Sequence, residues 1–191
     1  MTTRYSVVSV QVGRAEPLQV GDQSVMSGIR KLPVQGPVEV RALGLAGDEQ
    51  ADPTVHGGLA KAVYAYPVEH YAFWREHRAS LGLPVNLPHG SFGENLTISG
   101  VLEESLYVGD ELLFPDCSLR VTQPRGPCYK LNAFMNDPSA VRTMAHSGLC
   151  GFYLSVEAPG SLTAGQEFAV RPGPRTTPLM DLFKAKRAKY R

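Results

Sequence analysis

The chain has 191 residues, of which 43% are hydrophobic, and 19 Lys and Arg against 18 Asp and Glu give a net charge of +1. This length and apolar content support one large domain with a real core and exclude global disorder. The near-zero net charge argues against a general nucleic-acid-binding or membrane-coating protein. Neither a signal peptide nor a membrane span is evident, so we expect a cytoplasmic protein without membrane contacts.

Short segments of β-type residues, separated by glycine and proline, dominate the chain. The predicted strands are 5–12, 37–43, 61–66, 106–114, 118–123, 152–156 and 167–171. The turn pair Pro115-Asp116 would join 106–114 and 118–123 as an antiparallel hairpin. Many short strands with frequent turns predict a mostly β fold, either a barrel or a sandwich.

Helix signals are few. One helix is predicted over 67–81, because proline stands near its start and glycine follows its end. A second is predicted over 137–146, with Asp137 as N-cap and Gly148 just beyond the end. We assign residues 1–175 to one domain and residues 176–191 to a basic C-terminal tail, helical or flexible.

Cys128 stands out among the cysteines Cys117, Cys128 and Cys150. An odd, low count does not make a disulfide framework. Prolines stiffen the run 123–132 around Cys128, and it places Arg125 and Lys130 close to the sulfur. Nearby positive charge favours the thiolate, which binds soft metals or attacks electrophiles. A buried structural cysteine in a proline-bracketed turn explains the same pattern equally well.

Two further segments have the composition of ligand-binding loops. The glycine pair 57–58 can point backbone N–H groups at an anion, and the His56 imidazole lies beside it. The segment 92–95 suits a loop that closes over a polar ligand. The alternative for the His56 segment is an ordinary surface turn, and the alternative for 92–95 is the turn before a strand. The carboxylate pair 103–104 predicts a solvated turn rather than a catalytic dyad.

Together these segments resemble the MOSC domain family and, within it, the YiiM-like subgroup. The resemblance covers about residues 5–172. The matching stretches are 44–50, 55–58, 66–71, 92–96, 109–110, 123–132 and 158–160. Each stretch alone is a weak signal, whereas their joint order and spacing are specific.

The resemblance implies a closed or partly closed β-barrel with two or three peripheral helices, which binds molybdenum cofactor (molybdopterin). It also implies that Cys128 is the catalytic cysteine that ligates molybdenum. The residues implied to bind the cofactor are Arg125, Lys130, Asn132, Lys61, Asp48, His56, Gly57, Gly58, Phe92, Gly93, Glu94 and Asn95.

The activity implied by the resemblance is reduction of N-hydroxylated compounds, such as N-hydroxylated purine bases, to amines. Three cysteines cannot hold an iron–sulfur relay, so we expect a separate electron-donor reductase as partner. The alternative is a module that carries the cofactor, or a Cys128 persulfide, without turnover. A nucleic-acid-binding barrel that uses the basic tail is a third hypothesis, against which the net charge argues. The sequence leaves a homodimer open.

Overall fold

The computed structural model describes residues 5–52 and 57–187. His56 therefore lies outside the described residues. The strands are β1 Tyr5–Val12, β2 Glu16–Val20, β3 Gln23–Ser27, β4 Leu32–Pro33, β5 Val38–Arg41, β6 Gly44–Leu45, β7 Val63–Pro67, β8 Leu96–Ser99, β9 Glu111–Leu113, β10 Ser118–Pro124, β11 Phe152–Ala158, β12 Gly160–Leu162 and β13 Glu167–Arg171. The helices are α1 His70–Ser80, α2 Lys130–Met135, α3 Ala140–Ser147 and α4 Leu179–Arg187.

Seven strands close into a β-barrel. Their order is β13-β9-β10-β11-β7-β8-β1, and β1 pairs back with β13. Neighbouring strands are antiparallel except β7 and β8, which run parallel. Alternate side chains of β-strands point to opposite faces, and the inward ones fill the barrel core with residues such as Val10, Leu119 and Leu154. The predicted mostly β, closed barrel is confirmed.

A second hydrophobic cluster lies between the barrel and its helices. Its centre holds Tyr66, Trp74 and Phe92, which are fully buried. The Trp74 indole N–H donates to the Tyr66 hydroxyl at 2.7 Å, and the Tyr66 ring stacks on Phe92 at 4.4 Å between centroids. This cluster fixes α1 against β7, on the side of the barrel where the 92–95 segment enters β8.

Helix α4 packs against both clusters. Leu179 belongs to the barrel core and Phe183 to the second cluster, and both are buried. The residues of the predicted tail that the structure describes are therefore docked on the barrel, whereas the domain boundary at residue 175 stays a prediction. None of the helices in the described residues is long and apolar enough to cross a membrane.

The predicted hairpin around Pro115-Asp116 is present, but its first strand is shorter than 106–114. The strand is limited to Glu111–Leu113. Gly109 has a φ of 94°, and the Asp110 carboxylate accepts the Tyr107 N–H at 2.9 Å. These two features close a turn where the sequence predicted a continuous strand.

The expectation of a solvated turn is wrong for Glu103. Its side chain is buried, accepts the Gly151 N–H at 2.6 Å and pairs with His70 Nε2 at 2.8 Å. The carboxylate thus joins the start of α1 to the entry of β11. Sequence reasoning treated His70 and Glu103 separately because 33 residues divide them.

The resemblance implied two or three peripheral helices, whereas the described residues contain four α-helices. The additional one is the short α2 after Cys128, which the sequence did not indicate. Its turn begins where the Cys128 carbonyl accepts the Leu131 N–H at 2.8 Å. The β2–β3 hairpin was also missed. It lies outside the barrel sheet, and only Ser27 among its strand residues is buried.

The fully buried Asp137 carboxylate fixes the segment that leads into α3. It accepts the N–H and hydroxyl of Ser139 at 2.8 and 2.7 Å and pairs with His77 Nε2 at 2.9 Å. Burial alone would raise the pKa of Asp137, but the bonds from Ser139 and His77 outweigh it. The pKa of Asp137 therefore lies below its ordinary value of 3.8.

This lowered pKa predicts a loss of stability in acid. The contribution of Asp137 is fully present above the unfolded-state pKa, about 3.9, and is lost as the pH falls through the lower folded-state pKa. We expect Asp137→Asn to lower the free energy of unfolding at pH 7 by about 1–3 kcal/mol and to weaken its fall below about pH 4. Urea unfolding of both proteins across this pH range measures the effect, and identical pH dependences would contradict it.

Candidate functional site

One cleft brings together β3, the segment after β6, the entry of β8 and the Cys128 loop. Its empty space, counted out to the open mouth, is about 620 Å³. The lining residues are Ser27, Gly28, Ile29, Lys31, Asp48, Glu49, Gln50, Ala51, Asp52, Lys61, Tyr64, Gly93, Asn95, Arg125, Cys128, Lys130 and Tyr153. Seven of the residues expected from the sequence meet here: Asp48, Lys61, Gly93, Asn95, Arg125, Cys128 and Lys130.

Cys128 is the cysteine that reaches the cleft. It is half-buried and lines the wall, whereas Cys117 and Cys150 are buried. Burial raises the pKa of Cys117 to about 11 and that of Cys150 well above its usual range, so both stay protonated thiols. The sequence alone favours neither a structural nor a functional role for Cys128. Its position in the cleft favours the functional one.

Arg125 places a buried positive charge at the cleft. The residue is only 5% exposed, and its backbone N–H donates to the Gly151 carbonyl at 3.1 Å. Its guanidinium lies 5.3 Å from the Tyr64 ring centroid, and Nη1 donates to the Met144 thioether at 3.5 Å, a weak acceptor. Among the residues that the structure describes, no carboxylate forms an ion pair with Arg125.

The guanidinium remains charged in this environment. Burial by itself would lower the pKa of Arg125, but the neighbouring phenol and thiol groups, Tyr64 first among them, act upward and give a net increase. A buried cation is costly unless an anion compensates it. Arg125 is therefore the strongest candidate in the cleft for binding an anionic group.

Lys31 is a cleft residue that sequence reasoning missed. Its ammonium is ion-paired with Asp48, and the two side chains are 7% and 3% exposed. The Asp48 carboxylate also accepts the Gly13 N–H and the Asn95 side-chain N–H, each at 2.9 Å. No motif marks Lys31, because only the folded chain brings it to Asp48.

Asp48 and Asn95 form a fixed part of the cleft wall. The Asn95 side-chain oxygen accepts the Tyr64 N–H at 3.1 Å, while its amide group reaches Asp48. This amide thus ties β7 to the loop after β6. Both residues lie at the cleft, as expected, but their hydrogen bonds go to the protein itself.

Two glycines allow the cleft walls to approach each other. A Cβ on Gly28 would lie 2.4 Å from the Glu49 carbonyl oxygen, so the end of β3 could not pass so close to the 48–50 segment with any other residue. Gly93 has a φ of 79°, and a Cβ there would lie 3.0 Å from Ile29 Cγ1. Such a φ is strained for other residues.

Several expected cofactor contacts do not reach the cleft. Phe92 is buried in the second cluster. The glycine pair 57–58 lies outside the lining and leads into a 3₁₀ turn, Leu59–Lys61, of which Lys61 lines the cleft. The Asn132 amide donates to the Pro138 carbonyl at 2.9 Å and accepts the Val141 N–H at 2.8 Å. Asn132 therefore caps α3, and Phe92 packs the aromatic cluster.

Glu94 is likewise placed inside the protein. Its fully buried carboxylate accepts the Gly90 N–H at 2.8 Å, the Phe92 N–H at 3.0 Å, the Thr97 hydroxyl at 3.0 Å and the Tyr71 hydroxyl. Burial, with the nearby Glu94 charge, raises the pKa of Tyr71, so its phenol stays a donor. Glu94 organises the loop that places Gly93 and Asn95 at the cleft.

This network predicts a stability effect at Glu94. Glu94→Ala would leave buried donors unsatisfied, at a cost of about 1–3 kcal/mol each. We therefore expect a fall of several kcal/mol in the free energy of unfolding. Glu94→Gln should cost less, because its side-chain oxygen still accepts. Denaturant unfolding compares the two variants, and an Ala variant as stable as the wild type would contradict the assignment.

The remaining cleft groups are aromatic and cationic. The rings of Tyr64 and Tyr153 lie 5.4 Å apart, and Lys61 Nζ lies 6.0 Å from the Tyr153 centroid. Burial raises the pKa of Tyr64, and its neutral hydroxyl donates to the Cys150 carbonyl at 2.8 Å. Lys130 Nζ donates to the Met26 carbonyl at 2.7 Å. The cleft therefore combines a thiol, cations and aromatic rings.

The chain is similar to proteins of one family. The MOSC domain model matches residues 52–169. The chain is 39% identical over 162 residues to Protein YiiM of Escherichia coli, covering 84% of this chain and 69% of that protein. It is 33% identical over 172 residues to a protein of Gibberella moniliformis named Reductase, covering 88% of this chain and 30% of that protein. The crystal structure of YiiM from Geobacillus stearothermophilus superposes with a TM-score of 0.75 at 27% identity, covering 97% of this chain and 85% of that one.

Proposed function

Because the chain belongs to the MOSC domain family, we propose that it is an oxidoreductase that binds molybdenum cofactor in this cleft. We propose further that it reduces N-hydroxylated compounds, such as N-hydroxylated purine bases, to amines. The observation that carries the proposal is the shared position of two groups. The cleft holds the half-buried Cys128 thiol and the buried Arg125 cation, which has no carboxylate partner in the described residues.

The residues of the cleft fit a molybdopterin. The Cys128 thiolate is the kind of soft ligand that suits a sulfur-bound metal. Arg125 can give charge-assisted hydrogen bonds to the phosphate of the pterin. Lys130 and Lys61 add donors at the same cleft, and Tyr153 offers a ring face. In this assignment Cys128 ligates the metal and Arg125 anchors the phosphate.

When bound, the cofactor supplies two-electron redox chemistry at molybdenum. Reduction of an N-hydroxylamine to an amine consumes two electrons and two protons and releases water. The protein must position the N–O bond, exclude competing water and provide protons. For the last task the cleft lining offers three lysine ammonium groups, Lys31, Lys61 and Lys130.

The electrons must come from a partner. The chain has three cysteines, too few to hold an iron–sulfur relay of its own. We therefore propose a separate reductase as electron donor. The free cysteines fit a reducing compartment, so we place the reaction in the cytoplasm.

The proposal is tested with cofactor-loaded protein, hydroxylaminopurine and a chemical electron donor such as reduced methyl viologen. We expect adenine to form in step with oxidation of the donor. With NADH and no second protein, we expect no sustained turnover. Retention of molybdenum and pterin without any reduction would instead support a non-catalytic cofactor carrier.

A further inference from the structure

Glu103 is a buried carboxylate that lies behind the cleft wall. The residue is 3% exposed and is not part of the cleft lining. Its Oε1 accepts the Gly151 N–H at 2.6 Å, and its Oε2 pairs with His70 Nε2 at 2.8 Å. Both carboxylate oxygens are thus bonded inside the protein. A buried polar group with satisfied hydrogen bonds holds its neighbours in one arrangement.

The peptide between Cys150 and Gly151 is held at both ends. Its N–H donates to Glu103, and its carbonyl accepts the Tyr64 hydroxyl at 2.8 Å. Gly151 has a φ of 66°, and a Cβ there would lie 2.4 Å from the Ala65 carbonyl oxygen, so glycine is required for this close passage against β7. Two hydrogen bonds through one peptide therefore link the Glu103 carboxylate to the Tyr64 side chain.

Arg125 contacts this arrangement at two points. Its backbone N–H donates to the Gly151 carbonyl at 3.1 Å, and its guanidinium lies 5.3 Å from the Tyr64 ring centroid. A cation is attracted to an aromatic ring most strongly where both are removed from water, and both residues are buried. Both contacts of Arg125 thus lead to the peptide that Glu103 holds.

We propose that Glu103 is a positioning residue for the Arg125 guanidinium. It fixes the peptide 150–151, and this peptide fixes both the Tyr64 ring and the backbone at Arg125. A cation held in place in advance binds an anion with a smaller loss of conformational entropy. The inference rests on the proposed function, in which Arg125 anchors the phosphate of the cofactor, and it adds the residue that holds this anchor.

The position of the guanidinium can be measured without cofactor. The ring current of Tyr64 should shift the NMR signal of the Arg125 Nε–H, and the loss of one signal in Arg125→Lys identifies it. Glu103→Leu removes both acceptor oxygens, so we expect this signal to move toward that of an exposed arginine. Glu103→Gln keeps an oxygen for the Gly151 N–H and should restore the wild-type signal.

A second measurement titrates inorganic phosphate into the cofactor-free chain. Loss of a residue that only orients a metal ligand costs about 10–100-fold, and for the orientation of Arg125 we expect the lower end, about tenfold weaker phosphate binding in Glu103→Leu. The matched control is Asp137→Asn, which changes another buried carboxylate that pairs with a histidine. The control should keep the wild-type Arg125 signal and phosphate affinity although its stability falls.

If Glu103→Leu does not fold, Tyr64→Phe provides the test, because it removes only the hydroxyl that donates to the Cys150 carbonyl. We expect phosphate binding about threefold weaker, the scale of one net hydrogen bond.

An unmoved Arg125 signal or an unchanged phosphate affinity overturns the inference. An equal effect in Asp137→Asn, or a Glu103→Gln protein that behaves like Glu103→Leu, also overturns it. If the wild-type chain binds no phosphate, the anchoring role of Arg125 in the proposed function fails, and the Arg125 signal alone decides whether Glu103 positions the guanidinium.

Discussion

Cys128→Ser is expected to lose molybdenum and with it the reduction of N-hydroxylated bases. A serine hydroxyl is a hard donor with a high pKa and does not replace a thiolate on a soft metal centre. Loss of a group that only supports a metal ligand costs about 10–100-fold in affinity or activity, so loss of the ligand itself should cost more. The measurements are bound molybdenum and the rate of amine formation.

The matched control is Cys117→Ser. Cys117 is buried in the barrel core and lies outside the cleft lining. This variant should keep its molybdenum and its activity if it folds. Activity of Cys128→Ser comparable to that of the wild type would show that the thiol is not the metal ligand.

Arg125→Met is expected to release the cofactor while the fold persists. A hydrogen bond to a charged group contributes about 1.5–3 kcal/mol, which corresponds to roughly 10–150-fold weaker retention of the phosphate-bearing pterin. Methionine fills a similar volume without charge, and removal of a buried cation that pairs with no carboxylate of the described residues should not lower stability. The pterin retention of Arg125→Lys should lie between that of the wild type and that of Arg125→Met, because lysine keeps the charge but lacks the planar guanidinium.

The control for this prediction is Arg41→Met. The Arg41 side chain is exposed and pairs with Glu39 at 2.6 Å, outside the cleft. Pterin content after gel filtration and thermal unfolding are measured for all variants. Full pterin content in Arg125→Met would contradict the anchoring role. A large fall in its melting temperature would show a structural role instead.

The barrel strands were predictable because their patterns are local. The alternation in Tyr5–Val12 and in Glu167–Arg171 gave strands whose bounds the structure reproduces. The sequence does contain a turn signal for the β2–β3 hairpin. Gly21, with a φ of 58°, is followed by Asp22 between the two strands, and a Gly-Asp pair is typical of a two-residue hairpin turn.

The site was predictable only in part, because burial decides which side chains reach the cleft. The motif around residue 128 brings Cys128, Arg125 and Lys130 to one cleft. The residues of the motif at 92–95 point in two different directions. Gly93 and Asn95 face the cleft, whereas the Glu94 carboxylate turns inward to Gly90 and Tyr71. Sequence spacing does not distinguish these two directions.

The position of Lys31 at the cleft could not be predicted from sequence patterns. It lies in an irregular segment between short strands, and its burial depends on a partner 17 residues away. The Asp48 carboxylate in turn depends on Gly13 and Asn95, from two other parts of the chain. Such a network exists only after the barrel has closed.

The most direct test of the central claim is the molybdenum and pterin content of the chain, purified from a host that makes the cofactor. We expect stoichiometric molybdenum and pterin in the wild-type protein and background amounts in Cys128→Ser. Wild-type protein from such a host with no more molybdenum than Cys128→Ser would contradict the assignment of this cleft as a molybdenum-cofactor site.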